Sequence, residues 1–359
     1  MKAIAVVLIA VLVTACAGKP VVMFRGGASH TGVYSESGLL EANQLVWKYR
    51  TMGAVISAPT ATDQFVGVGS SDGAIYVIDR VNGSLVWRYE TGGAVTSSPA
   101  LTDDMLLVGS NDGFLYALSL GSGQELWRFA AGAGIESSAT IHNSIVFFGS
   151  TNGYLYAVDL TTGVERWRFK ADAAIFGSPA IDEGLAVFGT SGGYVYAVDI
   201  ATGQESWRYL LAGEISSSPA IAGSATYIGS ETGYLHVIDM GTGQERWKFK
   251  TNGRVSSSAA VDKNVVYFGS HDGYLYAVTV DTQELVWKYK AKDWVTSSPA
   301  VTNRVVYVGS YDGYLHAVDR DNGHKLWRFR TEGAVRSSPI VINNTVIFGS
   351  DDQHIYAVH

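Results

Sequence analysis

Seven large polar and aromatic side chains in the second half of the chain are of the types that suit recognition of a partner. They are Glu214, Glu231, Arg254, His271, Trp294, Tyr311 and Arg336. An indole flanked by guanidinium groups is a common anchor in protein–protein interfaces, so we interpret this set as a candidate partner-binding surface. Trp294 and Tyr311 are also rings on which a sugar could stack. Ordinary variation among loops is the third interpretation.

No group of residues is arranged for covalent or acid–base catalysis. The eight histidines are scattered, and paired serines recur at one fixed spacing, as at 97–98, 217–218 and 297–298, which indicates a structural role. His236 and His316 lie two repeats apart and cannot share a metal ion, so we interpret each as a packing residue with a polar tip. The sequence predicts no catalytic residue, no metal site and no enzyme activity.

The charge of the chain argues against nucleic acid as its main partner. The formal net charge is −7, and charged residues make up only 16% of the sequence. Binding to phosphates needs a clustered basic face, whereas the lysines and arginines beside the tryptophans are spaced evenly along the chain. We expect these cations to keep exposed outer strands soluble.

The candidate residues belong to a strict repeat of 40 residues. Tryptophans mark it at Trp47, Trp87, Trp127, Trp167, Trp207, Trp247, Trp287 and Trp327. A constant period of this size identifies a repeat architecture. The varied residues then occupy equivalent loop positions on one face of the array, where functional residues are usually found.

One repeat, from Trp127 to Trp167, contains four short strand patterns separated by turns. We predict strands at residues 126–129, 135–141, 145–149 and 154–158, with glycine, asparagine or aspartate turns between them. Four antiparallel strands in about 40 residues form one propeller blade, so the chain is all-β with eight blades. Residues 44–50 supply the missing outer strand of the last blade and close the ring.

The pattern A-x-D-x-x-T/N-G-x-x-x-W is intact at residues 157–167, 197–207 and 317–327, and it resembles the tryptophan-docking motif of pyrroloquinoline-quinone (PQQ) repeat propellers. The resemblance covers residues 44–359. It implies that all eight repeated tryptophans are structural and pack against the neighbouring blade. In one copy Thr279 and Gln283 replace the aspartate and the glycine. We therefore predict that this turn is the least regular on its face.

The N-terminus resembles a bacterial lipoprotein signal. An apolar run from Ala3 to Val13 is too short to span a bilayer, and it ends in a lipobox-like sequence before Cys16, the only cysteine. We expect residues 1–15 to be a signal peptide, Cys16 to be lipidated and residues 16–43 to be a tether that packs against the array. Ala17, in place of aspartate, favours the periplasmic face of the outer membrane.

Among PQQ-repeat propellers, an anchored chain of this form resembles BamB-like lipoproteins of the outer-membrane β-barrel assembly machinery. That resemblance implies a monomeric, non-catalytic scaffold that binds envelope proteins and needs no cofactor. The alternatives are a PQQ-dependent dehydrogenase and a protein that binds carbohydrate or cell wall. Quinoprotein dehydrogenases stack PQQ on a tryptophan, hold calcium with acidic and amide ligands, and usually carry a disulfide of adjacent cysteines, which one cysteine cannot form.

Overall fold

The computed structural model describes residues 22–41 and 44–359, and it shows a closed ring of eight four-stranded antiparallel sheets. We number the blades 1–8 in chain order, starting with the sheet that begins at Thr60. Within the described residues the one helical element is a short 3-10 turn, Phe24–Gly26. The predicted all-β, eight-bladed propeller is confirmed.

The first strand of each blade lies nearest the axis, where neighbouring first strands contact one another. The first strands are Thr60–Ala61, Ala100–Leu101, Thr140–His142, Ala180–Asp182, Ala220–Ala222, Ala260–Asp262, Ala300–Val301 and Ile340–Ile342. The second strands are Phe65–Gly69, Met105–Gly109, Ile145–Gly149, Leu185–Gly189, Ala225–Gly229, Val265–Gly269, Val305–Gly309 and Thr345–Gly349. The third strands are Ala74–Asp79, Phe114–Ser119, Tyr154–Asp159, Tyr194–Asp199, Tyr234–Asp239, Tyr274–Thr279, Tyr314–Asp319 and His354–Val358. The outer strands are Leu85–Glu90, Glu125–Ala130, Glu165–Lys170, Glu205–Leu210, Glu245–Lys250, Leu285–Lys290, Lys325–Arg330 and, for blade 8, Leu45–Arg50.

The first strand of each blade is shorter than the sequence pattern predicted. In blade 3 it begins at Thr140, not at Ile135. The residues before it are bonded to neighbouring blades: Ile135 N–H donates to the Ser110 carbonyl, and Ser138 N–H donates to the Ser178 hydroxyl. Backbone groups committed to other blades cannot join the ladder of their own sheet.

The ring closes through the N-terminal strand, as predicted. Leu45–Arg50 pairs antiparallel with His354–Val358, with Trp47 opposite Ala357 and Tyr49 opposite Ile355. Gln44 and His359 exchange backbone hydrogen bonds just beyond this ladder. The two ends of the repeat array are therefore held in one sheet.

The repeated tryptophans dock each blade onto the next. Seven of the eight indole N–H groups donate to a backbone carbonyl at 2.7–3.1 Å, for example from Trp207 to Met240. The glycine of the facing turn lies against the ring, and a Cβ at Gly243 would come within 2.7 Å of the Trp207 indole. This glycine is therefore required both for its positive φ and for the space it leaves.

The turn with Gln283 departs from this pattern in a different way from the one predicted. Its backbone is regular, because Gln283 N–H donates to the Thr279 carbonyl as the glycine does in the other copies. Gln283 itself has a left-handed φ of 61°. The irregularity lies in the facing tryptophan: among the described residues, Trp247 is the one docking tryptophan whose indole N–H donates no hydrogen bond. We attribute this loss to the Cβ of Gln283.

A ring of serine hydrogen bonds surrounds the axis. Seven backbone N–H groups, each in the connection before a first strand, donate at 2.8–3.0 Å to the serine hydroxyl at the same position of the next blade. The ring is open at one point, because Ala58 occupies this position in blade 1. Ser338 N–H faces that gap and has no hydrogen-bond partner among the described residues.

Residues 22–34 run along the inner edges of the blades. Val22 exchanges two backbone hydrogen bonds with Leu101, and the first strands of blades 4 to 7 donate to the carbonyls of residues 28, 29, 31 and 32. The side chain of Arg25 is buried and donates to the Ala259 carbonyl at 2.6 Å. Further along, the Leu39 carbonyl accepts the indole N–H of Trp327.

The predicted signal peptide, Cys16 and the start of the tether lie outside the described residues. Across residues 22–41 and 44–359, no helix is sufficiently long and apolar to span a bilayer.

Candidate functional site

Two sets of loops meet on one face of the propeller and position the seven candidate residues. On this face, the turn after each second strand bonds to the connection that enters the blade. Glu231 N–H donates to the Glu214 carbonyl at 3.0 Å, and His271 N–H donates to the Arg254 carbonyl at 2.9 Å. Tyr311 N–H donates to the Trp294 carbonyl at 2.9 Å in the same way. The repeat therefore places the candidate residues side by side in pairs.

Side-chain contacts join the pairs across blades 5 to 7. A guanidinium nitrogen of Arg254 lies 3.3 Å from a Glu231 carboxylate oxygen. The imidazole of His271 stacks on the indole of Trp294, with ring centroids 4.8 Å apart and planes 26° from parallel. The Trp294 indole also packs against the Tyr311 ring, with the ring centroids 5.4 Å apart.

The row of contacts ends on blade 8. The guanidinium of Arg336 lies 5.8 Å from the centre of the Tyr311 ring, and its Nε donates to the Asp351 carboxylate at 2.8 Å. We call Glu231, Arg254, His271, Trp294, Tyr311, Arg336 and Asp351 the polar arc. Six of the seven candidate residues belong to it, whereas Glu214 is exposed beside its first member and joins it through its backbone.

Sequence reasoning missed Asp351 and the serines that hold the arc in place. Ser216 donates to Glu231 at 2.7 Å, and the Ser256 hydroxyl lies 2.8 Å from His271 Nε2. Asp351 stands at the turn position that Glu231, His271 and Tyr311 occupy in earlier blades. That equivalence was the signal that could have identified it.

The arc holds its charges in pairs and keeps its histidine neutral. Burial lowers the pKa of His271, the nearby Glu231 carboxylate opposes that effect, and Arg254 reinforces it. Burial disfavours the charge of Arg336, but the hydrogen bond to Asp351 raises its pKa above the ordinary value. At neutral pH the surface is therefore an aromatic centre between two ion pairs, with Trp294 46% exposed.

Blade 5 contains a serine, a histidine and a glutamate in a hydrogen-bonded row. His236 Nε2 lies 3.1 Å from the Ser230 hydroxyl, and its Nδ1 lies 2.5 Å from a Glu245 oxygen. Ser230 is fully buried and also contacts the Thr232 hydroxyl, so no substrate can reach its oxygen. The row joins the turn after the second strand, the third strand and the outer strand of blade 5, and it does not form a reactive centre.

The same position explains both candidate packing histidines. In four blades a tyrosine of the third strand donates to the turn aspartate, as Tyr76 does to Asp72 at 2.7 Å. In blade 7, His316 Nε2 lies 3.1 Å from the Asp312 carboxylate and so occupies the place of that tyrosine. Both histidines are buried. The contacts of His236 lie within blade 5, whereas His316 Nδ1 also lies 2.9 Å from the Tyr289 hydroxyl of blade 6. Within the described ranges, no three side chains of His, Cys, Asp or Glu are grouped to hold a metal ion.

Comparison with known proteins assigns the chain to a family. The family model described as "Outer membrane protein assembly factor BamB" matches residues 38–131, 111–248, 191–295 and 271–359, which together span the whole propeller. The chain belongs to this BamB family of PQQ-repeat propellers. A search among curated proteins gave no match.

Solved structures resemble the BamB-family chain in fold. BamB from Moraxella catarrhalis has a TM-score of 0.76 at 21% identity, covering 88% of this chain and 99% of that one. The computationally designed protein Ika8 has the same TM-score at 22% identity, with the same coverage of both chains. Quinohemoprotein alcohol dehydrogenase from Comamonas testosteroni has a TM-score of 0.80 at 15% identity, covering 92% of this chain and 79% of that one. One propeller fold is therefore shared by an assembly factor, a designed protein and an enzyme.

Proposed function

We propose that this propeller is a non-catalytic, protein-binding scaffold of the bacterial cell envelope that acts in outer-membrane protein assembly, with the polar arc as its contact surface. The observation that carries the proposal is the continuity of the arc. Side-chain contacts join Glu231 to Arg254 and join His271 to Asp351 through the exposed indole, and a backbone hydrogen bond from His271 to Arg254 links the two groups. The arc therefore joins four consecutive blades and residues up to 120 positions apart in sequence. Family membership supports the assembly role, because the matching family is described as an assembly factor.

The chemistry of the arc suits a protein partner. An exposed tryptophan between arginines provides apolar contact area together with fixed hydrogen-bond donors, the combination found at interface hot spots. The ion pairs with Glu231 and Asp351 hold Arg254 and Arg336 in place before a partner arrives, which reduces the side-chain entropy lost on binding. The equivalent positions in blades 1 to 4 are mostly small, with Ala54, Ala94, Gly134 and Ala174.

A triple variant tests the surface. Arg254→Ala, Trp294→Ala and Arg336→Ala together should reduce the recovery of crosslinked envelope proteins at least tenfold, since truncation of a hot-spot residue typically costs about 2 kcal/mol or more. The matched control is Glu136→Ala, Thr151→Ala and Ser191→Ala, on the same face but away from the arc. Mass spectrometry should recover β-barrel assembly components with the wild type and with the control. Equal recovery from all three proteins would remove the arc from the proposal.

The arc fits the two alternative functions less well. Around Trp294, the Asp293 carboxylate accepts the Trp294 N–H at 2.7 Å, and His271 covers one face of the indole. The carboxylates of Glu231 and Asp351 are already paired with arginines. These residues do not fit a stacked quinone with calcium. For a sugar, the rings of Trp294 and Tyr311 are inclined by 59° and form no single flat platform. Titration with PQQ and with cell-wall sugars should therefore leave the fluorescence of Trp294 unchanged.

The membrane location is a separate part of the proposal. We propose that Cys16 is lipidated and anchors the propeller at the periplasmic face of the outer membrane. Cys16→Ser should move the protein from the membrane fraction to the soluble periplasmic fraction, and Ala17→Asp should shift the anchored protein to the inner membrane. Sucrose-gradient fractionation measures both results. If the Cys16→Ser protein stays with the membranes, the lipid anchor is wrong.

A further inference from the structure

Among the residues that the structure describes, the first strands of blades 8 and 1 have no backbone partner on the side that faces the axis. The second residue of each first strand points its N–H and C=O away from its own sheet and toward the axis. In blades 2 and 7 both groups bond to the backbone of the N-terminal segment, for example between Leu101 and Val22 at 2.7 and 2.9 Å, and in blades 4 to 6 the N–H group does so. Ala61 and Val341, at the same position in blades 1 and 8, have no backbone partner there among the described residues. Ile141 of blade 3 has none either among the described residues, but it belongs to a hydrophobic cluster that includes Met23 and Ala28 of the N-terminal segment.

An open groove lies over these two free edges. One part of it, of about 490 Å³, is lined by Val22, Ala61, Phe65, Leu120 and Ile342. A second part, of about 290 Å³, shares three of those residues and continues along Val341 to Tyr34. The walls are mainly apolar, with Thr62 and Gln64 among them, and the floor presents backbone hydrogen-bonding groups.

The rim of the groove is acidic. Asp63 and Asp103 line its opening from the turns that follow the first strands of blades 1 and 2, and both are exposed. Glu36 lies at the other end, where its carboxylate accepts the N–H groups of Asn343 and Asn344. At the Asp63–Asp103 end, Asn343 Nδ2 donates to the Asp63 carboxylate at 3.2 Å and Arg80 Nε donates to the Asp63 carbonyl at 2.8 Å. Neither carboxylate forms an ion pair among the described residues, so the unpaired negative charge of the rim lies at this end.

We infer that the groove binds an extended segment of a partner protein that carries a lysine or arginine beside apolar residues. An extended chain that crosses the first strands accepts one backbone N–H from each blade, as residues 28–32 do in blades 4 to 7, and the cavity beside it receives its side chains. In the filled part of the ring, five residues, 28–32, span four blades, so a segment of about three residues is enough for the remaining two. The acidic rim selects a cation at the end of that segment.

This groove is separate from the polar arc. The turns that line it lie on the face opposite the arc, because the first-to-second and second-to-third turns of a blade emerge on opposite sides. A propeller with both sites could hold two partner segments at once. The inference does not depend on the proposed function of the arc.

A labelled peptide tests the groove. The probe is the acetylated and amidated hexapeptide Lys-Val-Thr-Val-Thr-Lys, measured by fluorescence anisotropy at low salt. Two control peptides carry glutamate in place of both lysines, or proline in place of both threonines, which removes backbone N–H donors. We expect the lysine peptide alone to bind, and we expect it to slow amide hydrogen exchange in segments 58–65 and 338–345 but not in 218–225.

Charge reversal supplies the matched variants. Asp63→Lys with Asp103→Lys should weaken peptide binding at least tenfold. Glu183→Lys is the control, because Glu183 occupies the same turn in blade 4, whose edge is already paired, and Lys263 shows that this turn accepts lysine.

Three results would overturn the inference. The first is binding that leaves exchange in segments 58–65 and 338–345 unchanged, which would show only surface attraction. The second is slow exchange of both segments in the free protein without peptide binding, which would show that the residues preceding Val22 fill the groove. The third is fast exchange with no binding at any peptide concentration.

Discussion

At the scale of single residues, Gln283 shows how one side chain disturbs a repeat. It takes a left-handed φ that favours glycine, and its Cβ lies where the other copies leave space for an indole. Gln283→Gly should relieve the strain, which is about 1 kcal/mol for a left-handed non-glycine residue, and restore the bond from Trp247 to the Val280 carbonyl. We expect a gain of about 1 kcal/mol in the free energy of unfolding by urea.

The reverse change, Gly243→Gln, should displace Trp207 and destabilise the protein. If neither variant changes the free energy of unfolding, this explanation is wrong.

A buried histidine at the axis makes stability depend on pH. Burial, reinforced by the charge of Arg25, lowers the pKa of His30 to about 3. The unfolded chain, with a histidine pKa of about 6.5, therefore binds a proton that the folded chain does not, and stability falls as pH drops from about 6.5 toward 3. The slope is about 1.4 kcal/mol per pH unit for one such group. Between pH 7 and 5, the free energy of unfolding of His30→Asn should fall less steeply with decreasing pH than that of the wild type. The variant of the exposed His324, His324→Asn, should keep the wild-type dependence.

At the scale of an element, the serine ring around the axis is incomplete at one position. Ala58 replaces the serine that would accept the Ser338 N–H, and a small cavity of about 10 Å³ lies beside Ala58 and Ser338. Ala58→Ser should close the ring and raise the free energy of unfolding by about 1 kcal/mol, the net value of one hydrogen bond. Ser218→Ala should have the opposite effect, because it leaves the buried Ser178 N–H without its acceptor. Equal stability of both variants and the wild type would show that the ring contributes nothing.

At the scale of the whole molecule, closure of the ring depends on the outer strand of blade 8. Trp47 and Trp287 are equally buried, at 7% exposure, and each donates one indole hydrogen bond at 2.8 Å. Trp287 joins blades that are already consecutive in sequence, whereas Trp47 docks the closing blade onto blade 1. Both alanine variants should lose about 3–5 kcal/mol. Trp47→Ala alone should also broaden the urea transition, because the ring can then open before the blades unfold. Identical transitions for the two variants would argue against closure as a distinct contribution.

Much of the fold of this protein is determined by its sequence, because the constant repeat of 40 residues fixes where each blade begins along the chain. The 40-residue repeat gives the number of blades, the closing strand around Trp47 and the loop face that holds residues such as Trp294. These features can be predicted from the sequence because each glycine turn and each strand is encoded by residues that are only a few positions apart. The bounds of the first strands were predicted wrongly, because the backbone around Ile135 bonds to neighbouring blades, which a local pattern does not register.

Only the tertiary structure decided which groups meet. It joined Arg254 to Glu231 and Arg336 to Asp351, and it brought the Arg25 guanidinium to the Ala259 carbonyl. It also left Ala61 and Val341 without a backbone partner toward the axis among the described residues. These contacts join residues from 15 to 234 positions apart. Their existence depends on how blades are arranged around an axis, and no spacing along the chain encodes that arrangement directly.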